Sequence, residues 1–243
     1  LQNEVSKFFP DARLNLDGLK FNQEELIKFI KDADALIVGL DVINSEVLDQ
    51  CKKLKMISKF GVGLDNIDLE SCKIRNIKIG WTGGVNRLSV AEMALGFMLM
   101  LARNLYMSSN NLKNSLWKKS AGFQLSGKNI GIIGLGNTGK EIVRLLKPFE
   151  CNIFANDIID QREFYIQNNI IELPKEEIFK DCDFVTINTP YNSSTKNMVD
   201  MKVLKSMKKS SYLINIARGG IVNEFDLKKA LQDNIISGAA IDA

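Results

Sequence analysis

The 243 residues are 45% hydrophobic and 25% charged, a globular composition with enough apolar material for one large domain or two ordinary ones. The net charge of +3 is spread along the chain, and the lysines between Lys205 and Lys209 read as a solvated helix end rather than a nucleic-acid patch, so no nucleic-acid partner is expected. No apolar run reaches membrane-spanning length and no secretory signal is visible, so no membrane association is expected.

Cys51, Cys72, Cys151 and Cys182 show no C-x-x-C pairing, which points to reduced thiols in a cytoplasmic protein, without a disulfide framework or a metal centre. Histidine is absent, which excludes Ser–His, Cys–His and histidine–metal chemistry within these residues.

In chain order, Gln23–Lys31 is amphipathic and Ala35–Leu40 reads as a buried strand. Ser45 is the expected cap of a helix that places Leu48 inward. A strand over Lys55–Phe60 leads into the loop GVGLDNID, Asp68 caps a short helix, and Ile77–Trp81 forms the next strand. Strands alternating with helices predict a parallel sheet. Thr82, Gly83 and Gly84 then form a flexible joint. A long helix is expected from about Ser89 to Leu105, with Ser89 and Glu92 as a capping box. Its apolar residues run nearly all round, which means burial within the chain or against a second copy.

The stretch Asn129–Lys140, NIGIIGLGNTGK, organises the second half of the chain. It reads as a buried parallel strand, a tight turn and a helix N-terminus. Gly134 allows the turn, Gly136 lets a pyrophosphate approach the backbone, and Gly139 lets the helix pack on its strand. A second strand, Asn152–Ala155, delivers Asp157 where a carboxylate accepts the ribose hydroxyls of NAD and repels the added phosphate of NADP. The neighbouring Ile158 and Ile159 are not basic, which also favours NAD. Further strands are expected at Asp183–Asn188, Ser211–Ile216 and Ile236–Ile241, with helices between them and Pro174 as a first helical residue. Asn188-Thr189-Pro190 and Ala217-Arg218-Gly219-Gly220 close two of these strands at the same edge. Arg218 follows an apolar run and precedes two glycines, which holds its planar fork of donors at the cleft, suited to a carboxylate. A structural ion pair is the competing reading.

NIGIIGLGNTGKEI, VTINTPYNSSTKNMVD and LINIARGGIVNEFDLKKAL resemble the three signatures of the D-isomer-specific 2-hydroxyacid dehydrogenases. GVGLDNID and VNRLSVAEMALG are similar to further segments of that family, especially its phosphoglycerate-dehydrogenase-like branch. The resemblance runs from about Ala35 to Asp242, in the family's order and spacing. It implies two doubly wound α/β units: a flavodoxin-like substrate-binding domain over 1–84 and a Rossmann NAD-binding domain over 85–243.

On matching positions the resemblance implies that Gly134, Gly136, Asn137 and Thr138 bind the pyrophosphate and Asp157 the adenosine ribose. Thr189, Pro190, Ala217 and Asp242 would line the ribose and nicotinamide. Arg218 is the implied catalytic residue, holding the carboxylate and C2 oxygen of a small 2-hydroxy or 2-oxo acid. The amides of Val62 and Gly63, a small anion nest, and Asn86 are the implied substrate contacts. The long helix would belong to a homodimer interface.

One departure stands out. The family uses a histidine acid/base oriented by a glutamate, both located beyond the strand that here ends at Ala243. Proton transfer needs such a group within hydrogen-bond reach. Because Arg218 and the nest are intact, both chain ends are expected to be incomplete. Two functions compete: an NAD-dependent dehydrogenase of a small D-2-hydroxy acid, with 3-phosphoglycerate among the candidates, and a non-catalytic NAD(H)-sensing protein of the same fold. Lys59 and Arg87 are candidate contacts for a substrate phosphate, against the blander reading of solvent-facing charges.

Overall fold

The computed structural model describes residues 2–119 and 121–243. Two compact units divide at Gly83/Gly84.

The first unit contains α1 (Gln2–Phe8), α2 (Gln23–Ile30), β1 (Ala35–Val38), α3 (Ser45–Gln50), β2 (Met56–Lys59), α4 (Leu69–Ile74) and β3 (Lys78–Gly80). Its three strands are parallel in the order β1-β2-β3. Residues alternate across a strand, so Leu36, Val38, Ile57 and Ile79 share one face. They pack with Leu26 and Ile30 of α2, Val47 and Leu48 of α3 and Cys72 of α4 in one apolar cluster. A capping box between Asn22 and Glu25 starts α2. The cap of α3 is Asn44, whose side chain accepts the Val47 amide; Ser45, the expected cap, is the first helical residue instead. Asp68 caps α4 as expected, through the Ser71 amide.

The second unit contains α5 (Arg87–Ala102), α6 (Leu105–Lys113), β4 (Asn129–Ile133), α7 (Asn137–Leu146), β5 (Asn152–Asn156), α8 (Arg162–Gln167), β6 (Ile171–Glu172), α9 (Lys175–Asp181), β7 (Phe184–Ile187), α10 (Met201–Ser206), β8 (Tyr212–Asn215), α11 (Glu224–Gln232) and β9 (Gly238–Ile241). Its six parallel strands lie in the order β6-β5-β4-β7-β8-β9. Numbered from β4 this is 3-2-1-4-5-6, with the order reversing beside β4.

Two apolar clusters sandwich the sheet. One joins Ala91, Ala94, Met98 and Ala102 of α5 to Ile142, Val143 and Leu146 of α7 and Ile130 and Ile132 of β4. The other joins Ile133 to Ile178 and Phe179 of α9, Leu204 of α10 and Leu227 of α11. Each large side chain so buried contributes about 1.5–3 kcal/mol.

The long helix starts earlier than its capping signal indicates. Asn86 is the N-cap residue, its carbonyl accepting the Val90 amide, while the Arg87 amide bonds to Gly84. Ser89 therefore lies inside the first turn, and the Ser89–Glu92 capping box does not form the helix end. Pro174 likewise stands one position before α9, as its N-cap. No single helix among the described residues is long and apolar enough to cross a membrane.

Candidate functional site

Because all six strands of the second unit are parallel, their carboxyl ends share one edge of the sheet. That edge collects Gly134 after β4, Asp157 after β5, Thr189 and Pro190 after β7, Ala217 and Arg218 after β8 and Asp242 after β9.

The turn after β4 requires its glycines. Gly134 has φ +94°, and a Cβ there would lie 3.0 Å from the Asn188 carbonyl and the Thr189 methyl. A Cβ on Gly139 would lie 2.3 Å from the Gly134 oxygen, so this residue sets how closely α7 seats on the turn. Above Gly136 the space is open, with nothing within 4 Å of an added Cβ. Gly136 is also the N-cap of α7 and supplies no side-chain cap. The first amides of the helix, including those of Asn137 and Thr138, and the positive end of its dipole therefore face an open cradle.

Asp157 is tied to this turn. One carboxylate oxygen accepts the Leu135 amide at 2.6 Å and the other accepts the Ile159 amide at 2.9 Å. A carboxylate has about four lone-pair sites, so both oxygens keep capacity for ribose hydroxyls. Ile158 and Ile159 are exposed. In the loop after β7, Thr189 Oγ1 is buried without a hydrogen-bond partner among the described residues. An orphan hydroxyl, an open glycine cradle and a half-buried carboxylate at one sheet edge fit a dinucleotide with ribose and phosphate groups to satisfy.

Arg218 is half-buried in an extended conformation, and its Nη1 donates to the Ala217 carbonyl at 2.8 Å. Sequence reasoning missed the residue beneath it. Asn215, fully buried at the end of β8, bonds to the backbone of both Ala217 and Arg218. An Asn two residues before a loop amide is a recognisable Asx-turn signal, here hidden in an apolar strand.

Asn86 is exposed at the start of α5, and the neighbouring Gly84 approaches Asn137, where an added Cβ would meet Nδ2 at 2.5 Å. Arg87 pairs with Glu141 of α7 at 3.6 Å. A substrate phosphate at Arg87 would therefore meet a carboxylate already in place.

In the first unit, Val62 and Gly63 follow Gly61, which has φ +134°. The Val62 carbonyl accepts the Trp81 indole N–H at 2.9 Å, fixing the loop from the end of β3. Lys59 is half-buried rather than solvent-facing, its ammonium donating to the Gly39 carbonyl and to Asn66 Oδ1. Asn66 in turn donates to the Asp41 carbonyl at 2.6 Å. The Ser71 hydroxyl and amide hold the Asp68 carboxyl below the usual carboxylate range. Among the described residues no cluster of three His, Cys, Asp or Glu side chains forms a metal site.

The strand order, the glycine cradle and the carboxylate after the second strand define an α/β dinucleotide-binding protein of Rossmann type. Residues 95–243 match the model of the D-isomer specific 2-hydroxyacid dehydrogenase NAD-binding domain. The chain belongs to this family, in its phosphoglycerate-dehydrogenase-like branch, and its cofactor is NAD.

D-3-phosphoglycerate dehydrogenase of Sus scrofa is 37% identical over 224 residues, covering 91% of this chain and 42% of that protein. Hydroxypyruvate reductase of Thermotoga maritima is 34% identical over 228 residues, covering 93% of this chain and 72% of the relative. Among solved structures, the TT0316 protein from Thermus thermophilus superposes with a TM-score of 0.86 at 29% identity, covering 93% of this chain and 72% of its own. The chain thus spans less than half the length of the phosphoglycerate dehydrogenase that it matches.

Proposed function

We propose that the protein is an NAD-dependent oxidoreductase acting at C2 of a small D-2-hydroxy or 2-oxo acid. The observation that carries this reading is the convergence of the Gly134–Gly139 cradle, the Asp157 carboxylate and the Arg218 guanidinium on one sheet edge. NAD, when bound, supplies the hydride acceptor, and as NADH the donor. Gly134, Gly136, Asn137 and Thr138 would hold its pyrophosphate, Asp157 the adenosine ribose, and Thr189, Pro190, Ala217 and Asp242 the nicotinamide half. Arg218 binds the acid's carboxylate and polarises its C2 oxygen. The 1–84 segment is proposed as the substrate-binding domain, with the Val62 and Gly63 amides as contacts, and 85–243 as the cofactor domain, with Asn86 as a further substrate contact. None of the 243 residues is a histidine, so the proton donor to the C2 oxygen is not a histidine among them.

3-Phosphoglycerate leads the candidate substrates because of the relatives' names, followed by hydroxypyruvate. We further propose a homodimer, supported by exposed Leu88 and Met93 on α5 and Leu105, Tyr106, Met107 and Leu112 on α6. Four free cysteines support a cytoplasmic location.

The test is NADH oxidation by the natural full-length protein across a panel of 2-oxo acids, beside NADH binding read by fluorescence. Activity that is lost in Arg218→Gln while NADH affinity persists supports the dehydrogenase. NADH binding without turnover of any acid sinks it and leaves the NAD(H) sensor.

A further inference from the structure

Asn215 is one of only four buried polar residues among those described, and it is fully buried. Every hydrogen-bonding direction of its side chain that the structure records is spent on the loop that follows it. Oδ1 accepts the Ala217 amide at 3.1 Å, and Nδ2 donates to the Arg218 carbonyl at 2.8 Å. Its own backbone carbonyl accepts the Asp242 amide at 2.9 Å, continuing the β8–β9 pairing past the last strand residue. Two residues of the candidate site, Ala217 and Arg218, therefore hang from the carboxamide, while Asp242 is held by the backbone of the same residue.

The physical logic is that of a clamp. The chain must leave β8 and turn at once so that Arg218 projects from the sheet edge rather than continuing along the strand. The Ala217 amide leaving the strand needs a partner, and the Arg218 carbonyl, which also accepts the Ile221 amide at 3.3 Å, has a second lone pair to fill. The carboxamide is the side chain that supplies an acceptor and a donor at that span; Asp lacks the donor and Leu lacks both. Below it the clamp is anchored, because Asn215 pairs with Ile187 on β7 and Ile241 on β9, both hydrogen-bonded neighbours in the sheet.

We propose that Asn215 is a positioning residue whose carboxamide sets the direction of Arg218 by holding the backbone on either side of it. This rests on the dehydrogenase reading for its consequence, not for its geometry. A positioned group displaced by about 1 Å loses on the order of 100-fold in rate, so a modest shift at this loop is visible in kinetics.

The experiment uses the natural full-length protein with Asn215→Ala and Asn215→Asp, the second preserving shape and the acceptor for Ala217 while replacing the donor to Arg218 with an oxygen that can carry charge. Three quantities are read: hydrogen exchange of the Ala217 and Asp242 amides, affinity for AMP as a probe of the adenosine half, and kcat and KM for the best 2-oxo acid. Expected in Asn215→Ala are faster exchange at Ala217, wild-type AMP affinity, and a kcat/KM lower by roughly ten- to a hundredfold. In an Arg218→Ala background the same substitution should add almost nothing, because Asn215 acts through Arg218. An equal loss in both backgrounds, or unchanged kinetics in Asn215→Ala, overturns the proposal. Should Asn215→Ala fail to fold, Asn215→Asp decides by the same cycle. If the parent protein neither binds nor reduces any 2-oxo acid, the dehydrogenase reading falls on its own. The Ala217 exchange then still judges the clamp, and unchanged exchange refutes it.

Discussion

The Asp157 carboxylate accepts the Leu135 amide at 2.6 Å, so the end of β5 holds the glycine turn that follows β4. The residue that reads as a ribose ligand is thus also a brace for the glycine turn. A carboxylate accepting two backbone amides, from Leu135 and Ile159, is fixed in direction before any nucleotide arrives.

Asp157→Asn keeps the size of the side chain but leaves one oxygen to serve both amides, and it removes the charge that repels a 2′-phosphate. A hydrogen bond to a charged group contributes about 1.5–3 kcal/mol, so NADH affinity should fall by roughly tenfold or more. The preference for NADH over NADPH should shrink at the same time. Paired fluorescence titrations with the two nucleotides check this. A preference left at its original value would show that Asp157 braces the turn without reading the ribose.

Gly139→Ala puts a methyl group 2.3 Å from the Gly134 carbonyl oxygen, a backbone atom that has no flexible end to move. Helix α7 must back away from the turn, which opens the cradle above Gly136. Overpacking of this kind costs about 1–3 kcal/mol, and the loss should appear both in the thermal midpoint and in NADH affinity. Gly136→Ala is the control for stability: its Cβ meets nothing, so it should leave the midpoint near wild type while weakening pyrophosphate binding. Equal thermal losses in the two variants would contradict the assigned packing.

Much of this edge was legible in the sequence, because the signals are local. Ile130, Ile132 and Ile133 form an apolar run too short for a helix, the glycines are spaced for the turn, and Asp157 follows a second short strand. The features that were not legible depend on competition between neighbours or on polar composition. Asn44 and Ser45 are both good caps, and only the side-chain direction of Asn44 decides between them. Ser89 and Glu92 carry the spacing of a capping box, but the chain turns helical at Arg87, whose side chain meets Gly84 and Glu141. Helix α6 contains Ser108, Ser109, Asn110 and Asn111, poor helix formers that mask its period. Strand β6 is two residues long and held by its register with β5. Asn215 ends a strand whose other residues are apolar, so its Asx-turn signal is masked by the pattern of ordinary burial.

Gly131 is a further position that no turn explains. It lies in the middle of β4, where a Cβ would come 2.3 Å from Ile178 Cγ2 and 3.1 Å from Cys182 Sγ. The missing side chain lets α9 press against the strand that carries the glycine turn. Gly131→Ala should lower stability by about 1–3 kcal/mol, and the obstacle is the end of a side chain rather than backbone. Combining it with Ile178→Ala, which removes that methyl, should therefore cost less than the sum of the two single variants. Strict additivity in chemical denaturation would place the strain elsewhere.

Tyr165 offers a test on the alkaline side. Its ring is buried in the cluster beneath β4 and β5, and its hydroxyl finds no hydrogen-bond partner among the described residues. Burial, with the charges of Glu172, Asp157 and Asp160 beyond it, raises its pKa from 10.0 to about 12. Burial does the same to the Cys182 thiol, from 9.0 to about 12. A raised native pKa means that the folded chain keeps a proton that the unfolded chain gives up. Stability from this source is complete below the unfolded values and declines as pH rises from about 9 toward about 12, with Cys182, joined by the other three cysteines that burial also raises, dominating the lower part of that window and Tyr165 the upper. Tyr165→Phe should flatten the upper part. It also removes an unsatisfied buried hydroxyl, which costs about 1–3 kcal/mol where no partner exists. The thermal midpoint near neutral pH should consequently rise by roughly 2–4 °C for each kcal/mol recovered. Denaturation curves between pH 7 and pH 12 on the parent and the variant decide it. A lower midpoint in Tyr165→Phe would mean that the hydroxyl is satisfied in the native protein.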